Sequence, residues 1–222
     1  MMGDFIAINS YELKKSKDDR FKIPVINNIS LHSTYDPQRE ASDLIKRHYS
    51  VLSKCNKVLI LGLGMGFHVQ EIIRYWVEIG MHEYQIVAIE PNLRMIEDCQ
   101  IYNPIKNCNF TVYFNQDPSL LFGNLSFVNF LLSGPKIIIH PPSYSIYRGY
   151  FKEVLNYKTA DKISEFISLI DDEKLREYLE TAFEQEQTLE DIVDSLKKDL
   201  GSRILNKDYD FLLQAYDLLR RT

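Results

Sequence analysis

The residues whose types and spacing could do chemistry begin with Gly62-Leu63-Gly64-Met65-Gly66, which follow the apolar run Val58-Leu59-Ile60-Leu61 and open a helical pattern. Glycines let a ligand approach the backbone closely, and a helix N-terminus offers free N–H groups and positive dipole potential. A nucleotide-type ligand over Gly62, Gly64, Met65 and Gly66 is the chemistry such a turn suits. The alternative is that the glycines only permit tight packing of strand on helix. The dinucleotide fingerprint G-x-G-x-x-G would need glycine where Phe67 stands, so an NAD-type site is disfavoured. Glu90 ends a second apolar run 24 residues after Gly66. There a carboxylate can hold both hydroxyls of a ribose, or simply cap the next helix.

Other polar groups cluster near the same strand ends. Ser30, His32, Ser33 and Tyr35 lie on an extended approach to a helix, and Arg39 falls in that helix's first turn. His32 and Arg39 suit a phosphate or carboxylate, while the local alternative leaves Arg39 solvated beside Glu40 and gives Asp36 the role of cap. His32, His68 and His140 could gather with Glu90, but their spacing matches no compact metal motif, and no metal is expected. No Ser/His/Asp nucleophile arrangement is legible, and no Walker lysine follows the glycines, which argues against ATP hydrolysis. The catalytic residues, if any, are not identifiable.

These residues need strands and helices to position them. Phe5-Ile6-Ala7-Ile8 reads as a short strand, residues 10–20 as an exposed connection, and Ile23-Pro24-Val25-Ile26 as an extended stretch with Pro24 favouring a sheet edge. Asn27-Asn28 reads as a turn. Asp36 and Pro37 start a helix carrying Ala41, Leu44, Ile45, Tyr49 and Leu52 on one face. Val58–Leu61, Ile86–Ile89, Phe110–Phe114 and Lys136–His140 predict four strands. A helix from Gly66 to Ile79 turns Val69, Ile72, Ile73, Trp76 and Val77 inward, and another runs from Pro91 to about Gln100. The alternation implies an α/β class: a Rossmann-like parallel sheet flanked by helices, with a short N-terminal β region and a C-terminal helical tail. The expected divisions are residues 1–55, 56–150 and 151–222.

Composition sets the outer limits. The 222 residues are 45% hydrophobic and 26% charged, which suits a soluble globular chain. No apolar run reaches the roughly 18–20 residues that span a bilayer, and the start lacks signal-peptide character, so a cytoplasmic location is expected. The net charge of −5 argues against nucleic-acid binding. Residues 151–222 carry 17 acidic and 11 basic side chains, so the tail is acidic and residues 1–150 are nearly neutral. Cys55, Cys99 and Cys108 show no CxxC spacing and read as small hydrophobes. In the tail, Ile163, Phe166, Ile167 and Ile170 make one stripe, and Leu175, Tyr178, Leu179, Ala182 and Phe183 another. Thr188 opens a helix that Gly201 stops, and Phe211, Leu212, Ala215, Tyr216 and Leu219 mark a last one. Phe166, Phe183, Phe211 and Tyr216 could pack inside the tail or supply a partner or homodimer contact.

The G-x-G-x-G turn with Glu90 resembles the first motifs of S-adenosylmethionine-dependent methyltransferases, including the spermidine synthase relatives. That resemblance implies S-adenosylmethionine as cofactor and an adenine contact at Asp117, which could instead start a turn with Pro118. His140-Pro141-Pro142-Ser143-Tyr144 resembles the (Asp/Asn)-Pro-Pro-(Tyr/Phe) motif of amino-methylating enzymes, which implies substrate contacts from His140 and Tyr144. Three departures stand against it: Ile60 replaces the usual acidic residue, His140 replaces Asp or Asn, and Ser143 interrupts the Pro-Pro-Tyr spacing. Ile29–Ala41, with the glycine turn and Ile89-Glu90-Pro91, resembles the N-terminal region of motility accessory factors, which transfer sialic-acid-like sugars from CMP donors to flagellin. This second resemblance covers about residues 20–150. It implies a nucleotide-recognising accessory or binding module in glycosylation without the family's catalytic domain, since no second glycine-rich α/β pattern follows residue 150. A third reading is a fold that has lost its ligand.

Overall fold

The computed structural model describes residues 8–99, 110–198 and 207–221. Most of the strand expected at Phe5–Ile8, together with Gln100, Cys108, Gly201 and the Leu219 side chain, lies outside the described residues. The chain forms two compact units. One comprises residues 1–116 and 134–151, the other residues 117–133 and 152–222.

The first unit opens with a small antiparallel sheet of order β1-β2-β3, made of β1 (Tyr11–Lys15), β2 (Lys22–Ile26) and β3 (Ile29–Ser30). β1 corrects the expectation of an exposed connection. It is an edge strand whose outward side chains are charged, so composition masked its alternation. Asn27 and Asn28 both have positive φ, 49° and 63°, and form the two-residue hairpin turn between β2 and β3. Pro24 sits in the middle strand, not at an edge. The amide of Leu31 donates to the Pro24 carbonyl, and the reciprocal bond is one that proline cannot make, so β3 ends at Ser30.

Asp36 caps α1 (Pro37–Lys46) by accepting the Arg39 amide at 2.9 Å, with Pro37 in the first turn. After the short α2 (Tyr49–Leu52) come β4 (Lys57–Leu61), α3 (Phe67–Glu78), β5 (Gln85–Ile89), α4 (Leu93–Asp98), β6 (Phe110–Tyr113) and β7 (Lys136–Ile139). The four strands are parallel in the order β6-β5-β4-β7, the α/β Rossmann-like arrangement the alternation predicts. Val58, Leu59, Ile60 and Leu61 are all buried, as befits a central strand covered on both faces. One face packs Val58, Ile60, Ile86, Ala88 and Ile138 against Ala41 and Ile45 of α1 and Val69, Ile72 and Trp76 of α3. Val77 corrects the expected inward face of α3: it is half exposed, at the outer margin of the stripe. Pro141 and Pro142 end β7 and at once begin α6 (Pro141–Ile146), where a proline's missing N–H costs nothing. The next helix, α7 (Arg148–Leu155), is divided between the units.

The second unit is helical. A 3-10 turn (Pro118–Gly123) and α5 (Leu125–Leu132) join α8 (Ile163–Ile167), α9 (Glu173–Ala182), α10 (Leu189–Lys198) and α11 (Lys207–Arg221). Val128, Phe166, Leu175, Leu179, Ile192, Leu213 and Tyr216 are among its buried core. Phe166 and Tyr216 meet edge-to-face at 4.5 Å within that core, whereas Phe211 is exposed. No helix among the described residues is long and apolar enough to cross a membrane.

Candidate functional site

The glycine turn leaves the carboxyl end of β4 at the place where strand order reverses between β4 and β7, the usual crevice of open α/β sheets. Gly62, Gly64 and Gly66 have φ values of +94°, +48° and +75°, a region costly for any other residue. Their conformation carries the chain sharply into α3.

Every residue from Leu61 to Val69 is nevertheless buried, and the turn's amides are all engaged within the chain. Gly62 N donates to the Ile89 carbonyl at 3.0 Å and Gly66 N to the Leu63 carbonyl at 2.9 Å. Leu63 N donates to Oε2 of Glu90 at 2.9 Å, and Gly64 N also bonds that carboxylate. Met65 N donates to Nε2 of His32 at 2.9 Å.

Glu90 therefore points to the turn from the end of β5 and is fully buried. Its other oxygen accepts the Asn92 amide at 3.1 Å. Burial lifts its pKa to about 7, against the pull of the Leu63, Asn92 and Gly64 amides. Asn92 in turn caps α4 through the Arg94 amide and gives its side-chain N–H to the Tyr147 hydroxyl at 3.2 Å. Burial, then the Glu90 charge, drives the Tyr147 pKa well above that of free tyrosine.

Three imidazoles fill the space over the turn. His68 and His140 stack with ring centroids 4.7 Å apart and planes within 5°, and His32 lies 4.7 Å from His140. The His32 ring also meets Phe67 edge-on at 5.0 Å. Because His32 accepts at Nε2, its proton sits on Nδ1, which faces Oε2 of Glu40 at 3.7 Å. His68 bonds the Gly62 carbonyl through Nε2 at 3.2 Å, and its Nδ1 is buried without a partner. His140 bonds the Ser143 hydroxyl through Nδ1 at 2.7 Å and the Leu31 backbone as well. Burial, then the neighbouring imidazoles, lowers the pKa of His68 to about 3 and holds that of His140 well below the usual histidine range. The rings face each other rather than converging their nitrogens, and among the described residues no group of three or more His, Cys, Asp or Glu is arranged to hold a metal.

The structure thus brings His32, the glycine turn, Met65, Glu90 and His140 together. It does not bring Arg39, whose side chain is 81% exposed on α1 and 4.0 Å from Asp43. Tyr144 is half-buried on α6 and stacks against Phe151 at 5.8 Å. Asp117 belongs to the second unit, where it caps the 3-10 turn by accepting the Ser119 amide and hydroxyl. Ser143, Asn92 and Tyr147 are site residues that sequence reasoning missed. Ser143 carried a signal, since it breaks the Pro-Pro-Tyr spacing; Asn92 and Tyr147 carried none.

No family profile matches the sequence, and no curated protein matches it. Among solved structures, MnmC2 from Aquifex aeolicus aligns at 13% identity and a TM-score of 0.39, over 53% of this chain and 47% of that one. Spermidine synthase bound to the transition-state analogue AdoDATO and spermidine synthase from Thermotoga maritima each align at 11% identity and a TM-score of 0.39. These two alignments cover 96% of this chain and 90% and 89% of the synthases. The chain spans about half the length of the MnmC2 structure. Likenesses this slight carry no argument about activity. The resemblance of Ile29–Ala41 to motility accessory factors finds no support in these comparisons.

Proposed function

We propose that the first unit binds a nucleoside-bearing small molecule of the S-adenosylmethionine type over the Gly62–Gly66 turn. Glu90 accepts the two ribose hydroxyls, and the amides of Leu63 to Met65 meet the ligand's acceptor groups. The observation that carries this reading is the placement of the Glu90 carboxylate. It stands at the carboxyl end of β5 and faces the amides after β4. This carboxylate already accepts three N–H donors, and ribose hydroxyls would take the place of two of them as donors of the same kind. Methyl transfer is a narrower claim. It would use His140, whose neutral imidazole has one acceptor nitrogen, now held by Ser143.

A specific observation favours a second reading, that of a sealed scaffold. A Cβ on Gly62 would come within 2.2 Å of the Ser143 Cβ, and one on Gly64 within 2.5 Å of His32 Nε2, so both glycines already serve close packing. A glycosylation accessory role would instead place a cytidine nucleotide in the same crevice.

Calorimetry with S-adenosylhomocysteine and with CMP separates the three. Binding of S-adenosylhomocysteine, weakened at least tenfold by Glu90→Gln, is the expected result. Binding of CMP alone would favour the glycosylation role, and binding of neither the scaffold.

A further inference from the structure

The segment from Leu31 to Asp36 is a motif of the sequence that a simple glycine-turn site leaves unused. Leu31 is fully buried, and its backbone bonds His140. His32 reaches the turn and takes the Met65 amide. Ser33 N donates to Glu40 Oε2 at 2.8 Å, and the Ser33 hydroxyl accepts the amides of Tyr35 and Asp36 at 3.2 Å. Lys17 N donates to the Thr34 carbonyl at 2.8 Å. The segment is therefore a short strap, tied at both ends, with one side chain inserted over the turn.

That side chain does what a ligand would do. An imidazole Nε2 accepts one N–H, as a carboxylate, hydroxyl or phosphate oxygen would. Gly64 is the residue that admits it, since any Cβ there would strike Nε2. The tie on the far side of the ring is weak, a 3.7 Å approach to a Glu40 side chain that is 42% exposed. We infer that His32 is a removable stand-in for the ligand's acceptor group, and that residues 31–36 are a strap that withdraws when an oxygen acceptor takes the Met65 amide.

This inference rests on the nucleoside-binding reading, and its test keeps the two apart. Met65 amide exchange is followed by NMR in the unliganded chain as wild type, His32→Ala and His32→Gln, and each form is titrated with S-adenosylhomocysteine. The Met65 amide should exchange at least tenfold faster in His32→Ala and be slowed again in His32→Gln, whose carbonyl can accept. S-adenosylhomocysteine should bind His32→Ala at least tenfold more tightly than wild type. An unchanged Met65 amide in His32→Ala overturns the stand-in whatever the ligand does. Equal affinity in both forms overturns it while sparing the nucleoside reading; binding to neither removes the nucleoside reading and the stand-in with it. Should His32→Ala fail to fold, Glu40→Gln on the surface of α1 removes the charge facing Nδ1 and should shift both readouts the same way by a smaller factor. No shift in either readout with Glu40→Gln would then overturn the strap.

Discussion

The Oε2 of Glu90 lies 2.9 Å from the amide nitrogen of Leu63, fastening the end of β5 to the turn after β4 across 27 positions of chain. Two further amides, of Gly64 and Asn92, bond the same carboxylate. Glu90→Ala leaves these buried donors without an acceptor, a loss of about 2–4 kcal/mol by the usual penalty for orphaned buried groups. Urea denaturation should show the midpoint falling with an unchanged slope. A variant as stable as the parent would mean that the carboxylate does not secure the turn.

The buried titrating groups pull stability in opposite directions as pH changes. The folded pKa of Glu90 is raised to about 7, so its contribution is complete at low pH and is lost as pH rises through 7. His68 and His140 have depressed folded pKa values, so theirs is present above about 6.5 and lost as pH falls. From pH 7 to 5 His68 should cost about 2 kcal/mol, Glu90 offsets about as much, and His140 acts in the same direction as His68. In His68→Leu the loss over that window should shrink by about 2 kcal/mol, measured by urea titration at both pH values. An identical loss in variant and parent would contradict the buried neutral imidazole.

Gly62 and Gly80 share a positive φ, +94° and +76°, but differ in surroundings. A Cβ on Gly80 meets nothing within 4 Å, whereas one on Gly62 meets Ser143 Cβ at 2.2 Å. Gly80→Ala should cost only the left-handed backbone strain, about 1–2 kcal/mol. Gly62→Ala adds an overpacking term of about 1–3 kcal/mol. Adding Ser143→Gly to Gly62→Ala should recover part of the difference in melting temperature. Equal costs at the two glycines would show that Ser143 can move aside freely.

Within the helical unit, the Tyr216 hydroxyl donates to the Phe122 carbonyl at 2.6 Å, and burial pushes its pKa well up. Tyr216→Phe should lose about 1–2 kcal/mol, because the carbonyl keeps its burial and loses its donor. Thermal melts of the two forms measure it, and superimposable curves would argue against that bond.

The sequence made the parallel strands, the glycine turn, the Asp36 cap and the Asn27-Asn28 turn legible, because apolar runs, glycine spacing and capping residues are local signals. It concealed β1, where Glu12, Lys14 and Lys15 present a charged edge that reads as loop. It also concealed the grouping of residues 117–133 with the C-terminal helices, which depends on contacts between segments far apart in the chain. At the site, residue types pointed to His32, Glu90 and His140. That His32 would occupy the turn's own donor did not follow from spacing, since tertiary packing sets which acceptor an amide finds.

A turn whose donors are already matched by its own chain has a thermodynamic consequence for any guest. The intramolecular acceptors sit at high effective concentration, so an arriving molecule competes with them, and its measured affinity is reduced by the small fraction of time they stand aside. Weak binding to the resting protein would then reflect that internal rivalry rather than a poor fit.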